Sequence, residues 1–319
     1  MNYLLNTSLD PYFNMAFDSY VLENTDFEGV YLWQNSPAVI VGLNQSIYAE
    51  VNLQYLREHG ISPVRRVSGG GAVYHDLGNV NYTFVGSGAA VEKGPSLIAS
   101  ALKGMGVPAE LSGRNDILVD GRKYSGYAKR LATRTREGDC SRRVMVHGTL
   151  LFSVDLEALT RSLAVPGSKL SAAGVESVRS RVANLSSFLP YLTVQEFIDA
   201  LRAALQADSP SVTLSAAQTS EIEKIAQKQF RSWEWIYGHS PSTDFQSSRK
   251  FYCGTISVCY SLRHGRFTSV SFQGDFIGER PASELTALMT GLRPEDLFSL
   301  PIGDYFDGLT AAEFITLFA

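Results

Sequence analysis

A run of three glycines that follows two arginines is the first candidate for chemistry in this sequence. Residues 65–76 read RRVSGGGAVYHD. Since one glycine is enough to close a turn, three in succession indicate that a ligand approaches the backbone closely. Consecutive unencumbered N–H groups form an anion-binding nest, and an arginine just upstream supplies a planar, always-charged fork. The spacing matches neither a P-loop nor a dinucleotide-binding fingerprint, so anion binding and a purely structural glycine turn both stay open.

Lys123 is the second candidate, because it follows the dipeptide Asp120-Gly121. Asp-Gly is a strong signal for a two-residue hairpin turn, which requires positive φ at its central residues. Residues 121–126 read GRKYSG, so the lysine lies on a strand among small residues. A compact ammonium in that position can stabilise charge on a carboxylate or phosphate, and the alternative is a solvated strand lysine.

Three further residues could border a pocket. His147 precedes a glycine on a predicted strand and could present a ligand, although a single strand histidine is more often hydrogen-bonded within the core; His75 has the same ambiguity. Trp33 could form an apolar wall, although aromatic residues at strand spacing are usually core residues. The chain contains no G-x-S-x-G, H-E-x-x-H or C-x-x-C motif, so the sequence gives no support for covalent catalysis.

The elements that must position these residues come in clusters of strands. We predict strands at 30–34, 38–43, 64–67, 81–85, 117–119, 123–128 and 144–153, and helices near 14–24, 53–59, 155–163, 194–205 and 216–230. Strands that do not alternate strictly with helices favour an α+β fold over a doubly wound one. Residues 237–248 interrupt the pattern, which predicts a larger domain over 1–240 and a smaller one over 241–319 that contains an alternating strand at 255–262.

Composition excludes several classes of protein. The 319 residues are 45% hydrophobic and 19% charged, with a mean hydropathy of -0.04, as in globular proteins. No apolar run reaches the ~18 residues of a membrane helix, and residues 1–50 contain no Lys or Arg, so we expect a cytoplasmic protein. The three cysteines fit neither a disulfide framework nor a zinc site.

Net charge gives a further constraint on the partner. The value of -4 argues against a general nucleic-acid binder. Residues 114–143 nevertheless hold nine Lys/Arg against four Asp/Glu. This excess keeps a nucleotide- or RNA-binding module as the non-enzymatic alternative.

Five segments in order resemble the lipoate-protein ligase A family. They are RRVSGGGAVYHDLGN at 65–79, GRND at 113–116, GRKYSG at 121–126, HGTLL at 147–151 and GVESVRSRVAN at 174–184. The resemblance covers nearly the whole chain. It implies an α+β fold with a large mixed-sheet catalytic domain of the biotin/lipoate ligase type and a smaller C-terminal α+β accessory domain.

The resemblance also implies an activity and its partners. Free lipoate would be activated with ATP to lipoyl-AMP and then transferred to a specific lysine of a lipoyl domain. The acceptors would be the lipoyl domains of 2-oxoacid dehydrogenase acyltransferase subunits and the glycine-cleavage H protein, with no nucleic acid and no membrane involved, and the protein would be a monomer. The alternative within the same fold is an ATP-independent octanoyl or lipoyl transferase. Such transferases carry the acyl group on a cysteine, but the two corresponding segments, residues 165–167 and 112–114, read VPG and SGR, and Cys140 lies in a polar loop after Lys123.

Site residues carry over from the matching motifs. Lys123 would be catalytic, holding the carboxylate of lipoate against the α-phosphate of ATP. The residues that would bind ATP are Arg66, Gly71, Ala72, Val73, Tyr74, Asn79 and Lys123. The residues that would bind lipoate are Gly70, Trp33, His147 and Lys123. Mg²⁺ is expected with ATP, with Asp116 as its ligand, and Tyr127 stands where the family usually has a small residue, which leaves the acyl preference open.

Overall fold

The computed structural model describes residues 1–112, 116–119, 121–136, 139–163, 182–206, 211–240 and 243–318. Of the segments that carry the resemblance, residues 113–115 and 174–181 lie outside this part, as do residues 165–167 and the side chain of Cys140. Asp120 also lies outside it. The structure therefore describes only Gly121 of the two predicted turn residues. Its φ of +75° is the left-handed conformation that such a turn requires.

Helices and strands alternate in groups along the chain. The strands are β1 (Gly29–Trp33), β2 (Ala38–Val41), β3 (Ser62–Arg65), β4 (Val73–His75), β5 (Asn79–Ser87), β6 (Glu110–Ser112), β7 (Asp116–Val119), β8 (Arg122–Arg136), β9 (Asp139–Leu151), β10 (Thr243–Phe251), β11 (Gly254–Arg263) and β12 (Arg266–Gly274). The α-helices are α1 (Pro11–Asn24), α2 (Ile47–Glu50), α3 (Leu53–Glu58), α4 (Ala89–Glu92), α5 (Gly94–Gly104), α6 (Leu156–Leu163), α7 (Val194–Ala204), α8 (Ala216–Ile225), α9 (Ala282–Met289) and α10 (Ala311–Ile315). Two π-helical turns, Ala226–Phe230 and Glu234–Gly238, follow α8.

A six-stranded antiparallel sheet in the order β1-β5-β9-β8-β7-β6 forms the centre of the larger unit. Both of its faces are buried, because alternate side chains of β1 enter different apolar clusters. Val30 and Leu32 pack with residues of α5 and α7, whereas Tyr31 and Trp33 pack with residues of α1. This burial fixes the strand register, since a slip by one residue would exchange the two faces.

A second sheet holds the glycine run. Its order is β3-β2-β4, with β2 parallel to β3 and antiparallel to β4. The glycines connect β3 to β4, so the same central strand anchors both ends of the connection. The fold is α+β, as the sequence predicted, and it contains a mixed sheet, as the resemblance implied.

The C-terminal part forms a separate antiparallel sheet in the order β10-β11-β12. The predicted alternation in β11 is confirmed: Ile256, Val258, Tyr260 and Leu262 are buried in a cluster with residues of α9 and α10. The interruption expected over 237–248 is too long, because β10 begins at Thr243 and pairs with β11 along its whole length. Its mostly polar residues hide the strand from hydropathy patterns. In the described part of the chain no helix is long and apolar enough to cross a bilayer.

Candidate active site

A cleft lies between the glycine run and the six-stranded sheet. It holds about 610 Å³ of space free of protein atoms. Eight of the predicted site residues border it through side chain or backbone: Trp33, Arg66, Gly70, Gly71, Ala72, Val73, Lys123 and His147. Tyr127, at the position where the family usually has a small residue, borders it as well.

A second cavity of about 520 Å³ shares one wall with this cleft. Ala72, Val73 and Lys123 border both, together with Gly126 and Thr149. Beyond this wall the second cavity is mostly apolar, and its further lining residues are Tyr74, Ser125, Leu151, Leu159, Leu163 and Val182. The lysine therefore lies where two ligands could meet.

Lys123 is held at this wall by the β7-β8 hairpin. Its Nζ lies 2.8 Å from Oδ1 of Asp116, and its side chain remains 38% exposed. A Cβ atom at Gly126 would lie 3.1 Å from both Cε and Nζ of the lysine, so glycine at that position leaves the ammonium its space. The lysine is thus positioned by one ion pair and retains donors for a ligand.

The three positions of the glycine run differ in how strongly the protein itself requires glycine. Gly70 has a φ of +94°, and a Cβ there would lie 2.9 Å from Nη2 of Arg66. At Gly69 and Gly71 an added Cβ would meet no described atom within 4 Å. The protein itself therefore requires glycine at 70, whereas a Cβ at 69 or 71 would meet open space, and of these two positions Gly71 borders the cleft.

Arg66 holds the backbone of the glycine run through hydrogen bonds. It is buried, and its guanidinium donates to the carbonyl oxygens of Gly69 at 2.6 Å, Gly71 at 2.8 Å and Ile40 at 3.0 Å. Burial lowers the pKa of Arg66 to about 10, which leaves it charged at neutral pH. It borders the cleft, but its described donors bond to the glycine loop and to β2.

Arg65, which sequence reasoning did not single out, is fully buried. Its guanidinium joins the loop after β2 to the second π-helical turn. The acceptors are the carbonyl oxygens of Gly42, Leu43, Gln45, Trp235 and Ile236 and the hydroxyl of Ser240. Arg65 ends β3 and Arg66 follows it directly, and their contacts differ: Arg66 holds the glycine run and Arg65 holds its supporting loop.

His147 lies in a buried hydrogen-bond chain that the sequence did not reveal. Its Nδ1 is 2.7 Å from Oδ2 of Asp18, and its Nε2 is 2.6 Å from Oγ of Ser68. Asp18 also accepts from the hydroxyls of Tyr31 at 2.5 Å and Thr83 at 3.2 Å. A carboxylate oxygen accepts, so Nδ1 of His147 carries a proton, and in the neutral ring Nε2 then accepts from Ser68.

The same three residue types form the triad of many acyl transferases, but here they serve the framework. Ser68 is buried, is not among the described residues that border the cleft, and also accepts from Nε of Arg66. These hydrogen bonds therefore connect the glycine run to β9 and α1. Asp18 lies on helix α1 and is separated from His147 by 129 positions, so no local motif could have identified it.

Asn79 lies away from both cavities. It is buried at the start of β5, where its amide donates to Oδ1 of Asn81 at 2.9 Å. Asn81, which was not predicted, borders the cleft instead. The alternation of side chains along a strand places both asparagines on one side, with Asn81 nearer the cleft.

The basic segment 114–143 has mainly structural uses in the described part. Arg134 and Arg143 are buried and donate to the carbonyl oxygens of Thr25, Leu22 and Phe27, near the end of α1. Lys129 forms an ion pair with Glu92 at 2.5 Å. Within the described part of this segment, these three cations are therefore paired with groups of the protein.

The carboxylate of Asp116 could bind Mg²⁺, but only weakly by itself. Mg²⁺ is commonly held by one or two carboxylates together with substrate phosphates and water. No group of three or more acidic, histidine or cysteine residues with metal-binding geometry occurs in the part of the chain that the structure describes. A magnesium ion here would therefore depend on the phosphates of the nucleotide.

These features define a class of protein: an α+β ligand-binding enzyme with a lysine in the wall that two cavities share. Comparison with known proteins identifies the family. Residues 10–206 match the lipoyl protein ligase A/B catalytic domain, and residues 240–318 match the bacterial lipoate protein ligase C-terminus. The chain belongs to the lipoate-protein ligase A family, as the resemblance implied, and carries its ligase catalytic domain.

Individual relatives align with this sequence over most of their length. The chain is 36% identical to lipoate-protein ligase LplJ of Bacillus subtilis over 97% of this chain and 96% of the relative. It is 35% identical to lipoate-protein ligase 1 of Staphylococcus aureus over 91% and 90%.

Solved structures share the fold. A lipoate-protein ligase A bound with ATP matches with a TM-score of 0.62 at 26% identity, covering 75% of this chain and 98% of that chain. The bipartite lipoate protein ligase of Thermoplasma acidophilum, studied with its E2 lipoyl domain, matches with a TM-score of 0.65 at 26% identity, covering 75% and 96%.

Proposed function

We propose that the protein activates free lipoate with ATP, forming lipoyl-AMP and releasing pyrophosphate, and then transfers the lipoyl group to a lysine of a lipoyl domain. The observation that carries this proposal is the wall shared by the two cavities, with Lys123 in it. A carboxylate is a poor acyl donor, so the two ligands must meet at their reacting ends. The shared wall is where they would do so.

The cleft with Trp33 and His147 would hold the acyl chain, because Met15, Trp33 and Ile40 give it apolar lining. The second cavity would hold the nucleotide along the backbone of residues 72–74, and Gly71, which borders the cleft next to this segment, would meet the phosphate end of the nucleotide. Lys123 would then lie between carboxylate and α-phosphate and stabilise the negative charge that develops on both during adenylate formation. The same charge would assist departure of AMP when the acceptor lysine attacks.

The other predicted nucleotide residues have less direct support. Arg66 would act by holding Gly69 and Gly71 in place for the phosphates. Asn79 stays a prediction, since it lies outside both cavities. Mg²⁺ would be held by Asp116 and the phosphates, where it would neutralise phosphate charge.

The wider proposal concerns organisation and partners. We propose a catalytic domain over 1–240 and an accessory domain over 241–319, supported by the separate apolar cluster around β10, β11 and β12. Lipoyl domains of 2-oxoacid dehydrogenases are the proposed acceptors. The glycine-cleavage H protein as a further acceptor, the monomeric state and the cytoplasmic location stay predictions.

One mixture tests the function. The protein is incubated with lipoate and an apo lipoyl domain, with and without ATP, and the acceptor is analysed by intact mass while pyrophosphate is measured. We expect the lipoyl mass increment and pyrophosphate only when ATP is present. Transfer from an acylated donor protein without ATP would instead support the transferase alternative.

A further inference from the structure

His75 is a buried histidine in the cleft with one nitrogen left without a partner. It is 3% exposed and borders the cleft from β4. Its Nε2 has no hydrogen-bond partner among the residues that the structure describes. A buried polar group of this kind is unusual in a folded protein and needs an explanation.

The hydrogen-bond network around His75 determines its tautomer. Nδ2 of Asn14 lies 2.9 Å from the carbonyl oxygens of both Ser8 and Gln34, so the orientation of this amide is unambiguous. The same nitrogen is 2.8 Å from Oδ1 of Asn35, which must therefore accept. Nδ2 of Asn35 then donates to Nδ1 of His75 at 3.0 Å. Because Nδ1 accepts, the proton of the neutral ring lies on Nε2.

The surroundings keep this ring neutral. Burial, with smaller contributions from the charge of Arg66 and from His147, lowers the pKa of His75 to about 3. At neutral pH the ring therefore has a single N–H. That N–H is the group without a partner.

The position of His75 along β4 shows which part of a ligand it would meet. Val73 borders both cavities and lies next to the wall that contains Lys123. His75 is two residues further along the same strand, on the same face, and borders the cleft but not the second cavity. Its ring lies edge-on to Trp33, with ring centroids 6.3 Å apart. A ligand whose carboxylate lies at Lys123 would thus place its other end beside His75 and Trp33.

We infer, resting on the proposed function, that Nε2–H of His75 donates to a ring sulfur of lipoate and makes His75 a specificity-determining residue. Octanoate has the same chain length but ends in carbon and hydrogen alone. It would fill the cleft and leave the buried N–H without an acceptor. A site built to hydrogen-bond its ligand discriminates against the analogue that lacks the bonding atom. Divalent sulfur is a weak acceptor, so the effect is modest.

Two substitutions separate the donor from the rest of the ring. His75→Asn keeps an acceptor for Asn35 but is too short to place a donor at the position of Nε2. His75→Gln can place an amide N–H near that position. Dissociation constants for lipoate and octanoate are measured by calorimetry without ATP or acceptor protein. We expect the ratio favouring lipoate to fall about fivefold in His75→Asn and to be largely retained in His75→Gln. An unchanged ratio in a folded His75→Asn protein would overturn the inference.

Nitrogen-15 NMR of the wild-type histidines keeps the inference testable if both variants unfold. Lipoate should shift the Nε2–H signal of His75 and octanoate should not, while the nitrogens of His147, which already have protein partners, provide the internal control. Equal shifts with the two acids would contradict the inference. These measurements involve ligand binding alone, so they stand even if the ligation assay fails, and the ligation assay tests the proposed function separately.

Discussion

His147 and His75 lie on different walls of the same cleft and are both buried, yet their surroundings differ. Both nitrogens of His147 have protein partners, Asp18 and Ser68, whereas His75 has Asn35 alone among the described residues. The first histidine therefore belongs to the framework that holds the glycine run. The second retains a donor for a ligand. The residue type does not decide the role; the number of satisfied hydrogen-bonding groups does.

The cations of the site differ in the same way. Arg65 and Arg66 are buried and surrounded by acceptors from the protein, while Lys123 is partly exposed and has one ion pair. We expect substitutions in the framework to lower stability and substitutions of groups directed at ligands to lower activity. The following predictions test that distinction, beginning with the largest effect.

Lys123→Ala should lower the rate of adenylate formation at least about 100-fold, because one positioned charge is removed from the developing transition state. Thermal stability should change little, since the side chain is partly exposed. Pyrophosphate release measures the rate. Lys123→Arg should also fail, because a planar fork cannot replace a compact ammonium. Arg122→Ala, at the exposed neighbouring position, is the matched control, and activity near wild type in Lys123→Ala would remove the lysine from the site.

Arg65→Met should lower the free energy of unfolding by about 3–5 kcal/mol, because several buried carbonyl oxygens lose their donor. Urea denaturation measures the loss. Arg57→Met on α3 is the control, because Arg57 is exposed and makes one long contact, at 3.4 Å, with the carbonyl of Leu53. Equal small losses in both variants would show that the buried network does not stabilise the fold.

Asp18→Asn should move the proton of His147 from Nδ1 to Nε2, because the amide can present a donor to Nδ1. Ser68 would then face a second donor, and the glycine run would loosen. We expect the KM for lipoate to rise about tenfold, with a smaller effect on the KM for ATP. Tyr31→Phe removes a different donor from the same carboxylate and should leave the tautomer unchanged. Nitrogen-15 NMR that finds His147 protonated on Nδ1 in Asp18→Asn would contradict this account.

Gly70→Ala and Gly71→Ala should separate conformation from ligand approach. At Gly70 the positive φ and the close Nη2 of Arg66 predict a loss of about 1–2 kcal/mol in stability. At Gly71 the open space predicts a stability change within about 0.5 kcal/mol but weaker binding of ATP. Thermal unfolding and calorimetry measure the two effects. If Gly71→Ala bound ATP normally, its backbone would not be part of the nucleotide site.

Several elements could not be found from local patterns. Strand β4 covers three residues directly after the glycines, and β10 is mostly polar. Helix α5 begins with Gly94-Pro95, which looks like a turn, although Ile98 and Leu102 give it a buried face. Each of these elements is stabilised by neighbours distant in sequence, because pairing with β2 or β11 and packing on β5 supply the missing contacts.

The sequence by itself determined the α+β class, the Gly121 hairpin that carries Lys123, the alternation in β11 and the importance of the glycine run. These features depend on backbone conformation and on periodicity over a few residues, which local sequence encodes. Tertiary structure alone decided which histidine is satisfied and which is not, because Asp18, Asn35, Ser68, His75 and His147 come from separate elements. Their contacts follow from sheet register and helix packing, and hydrogen bonds are sensitive to distances of a few tenths of an ångström.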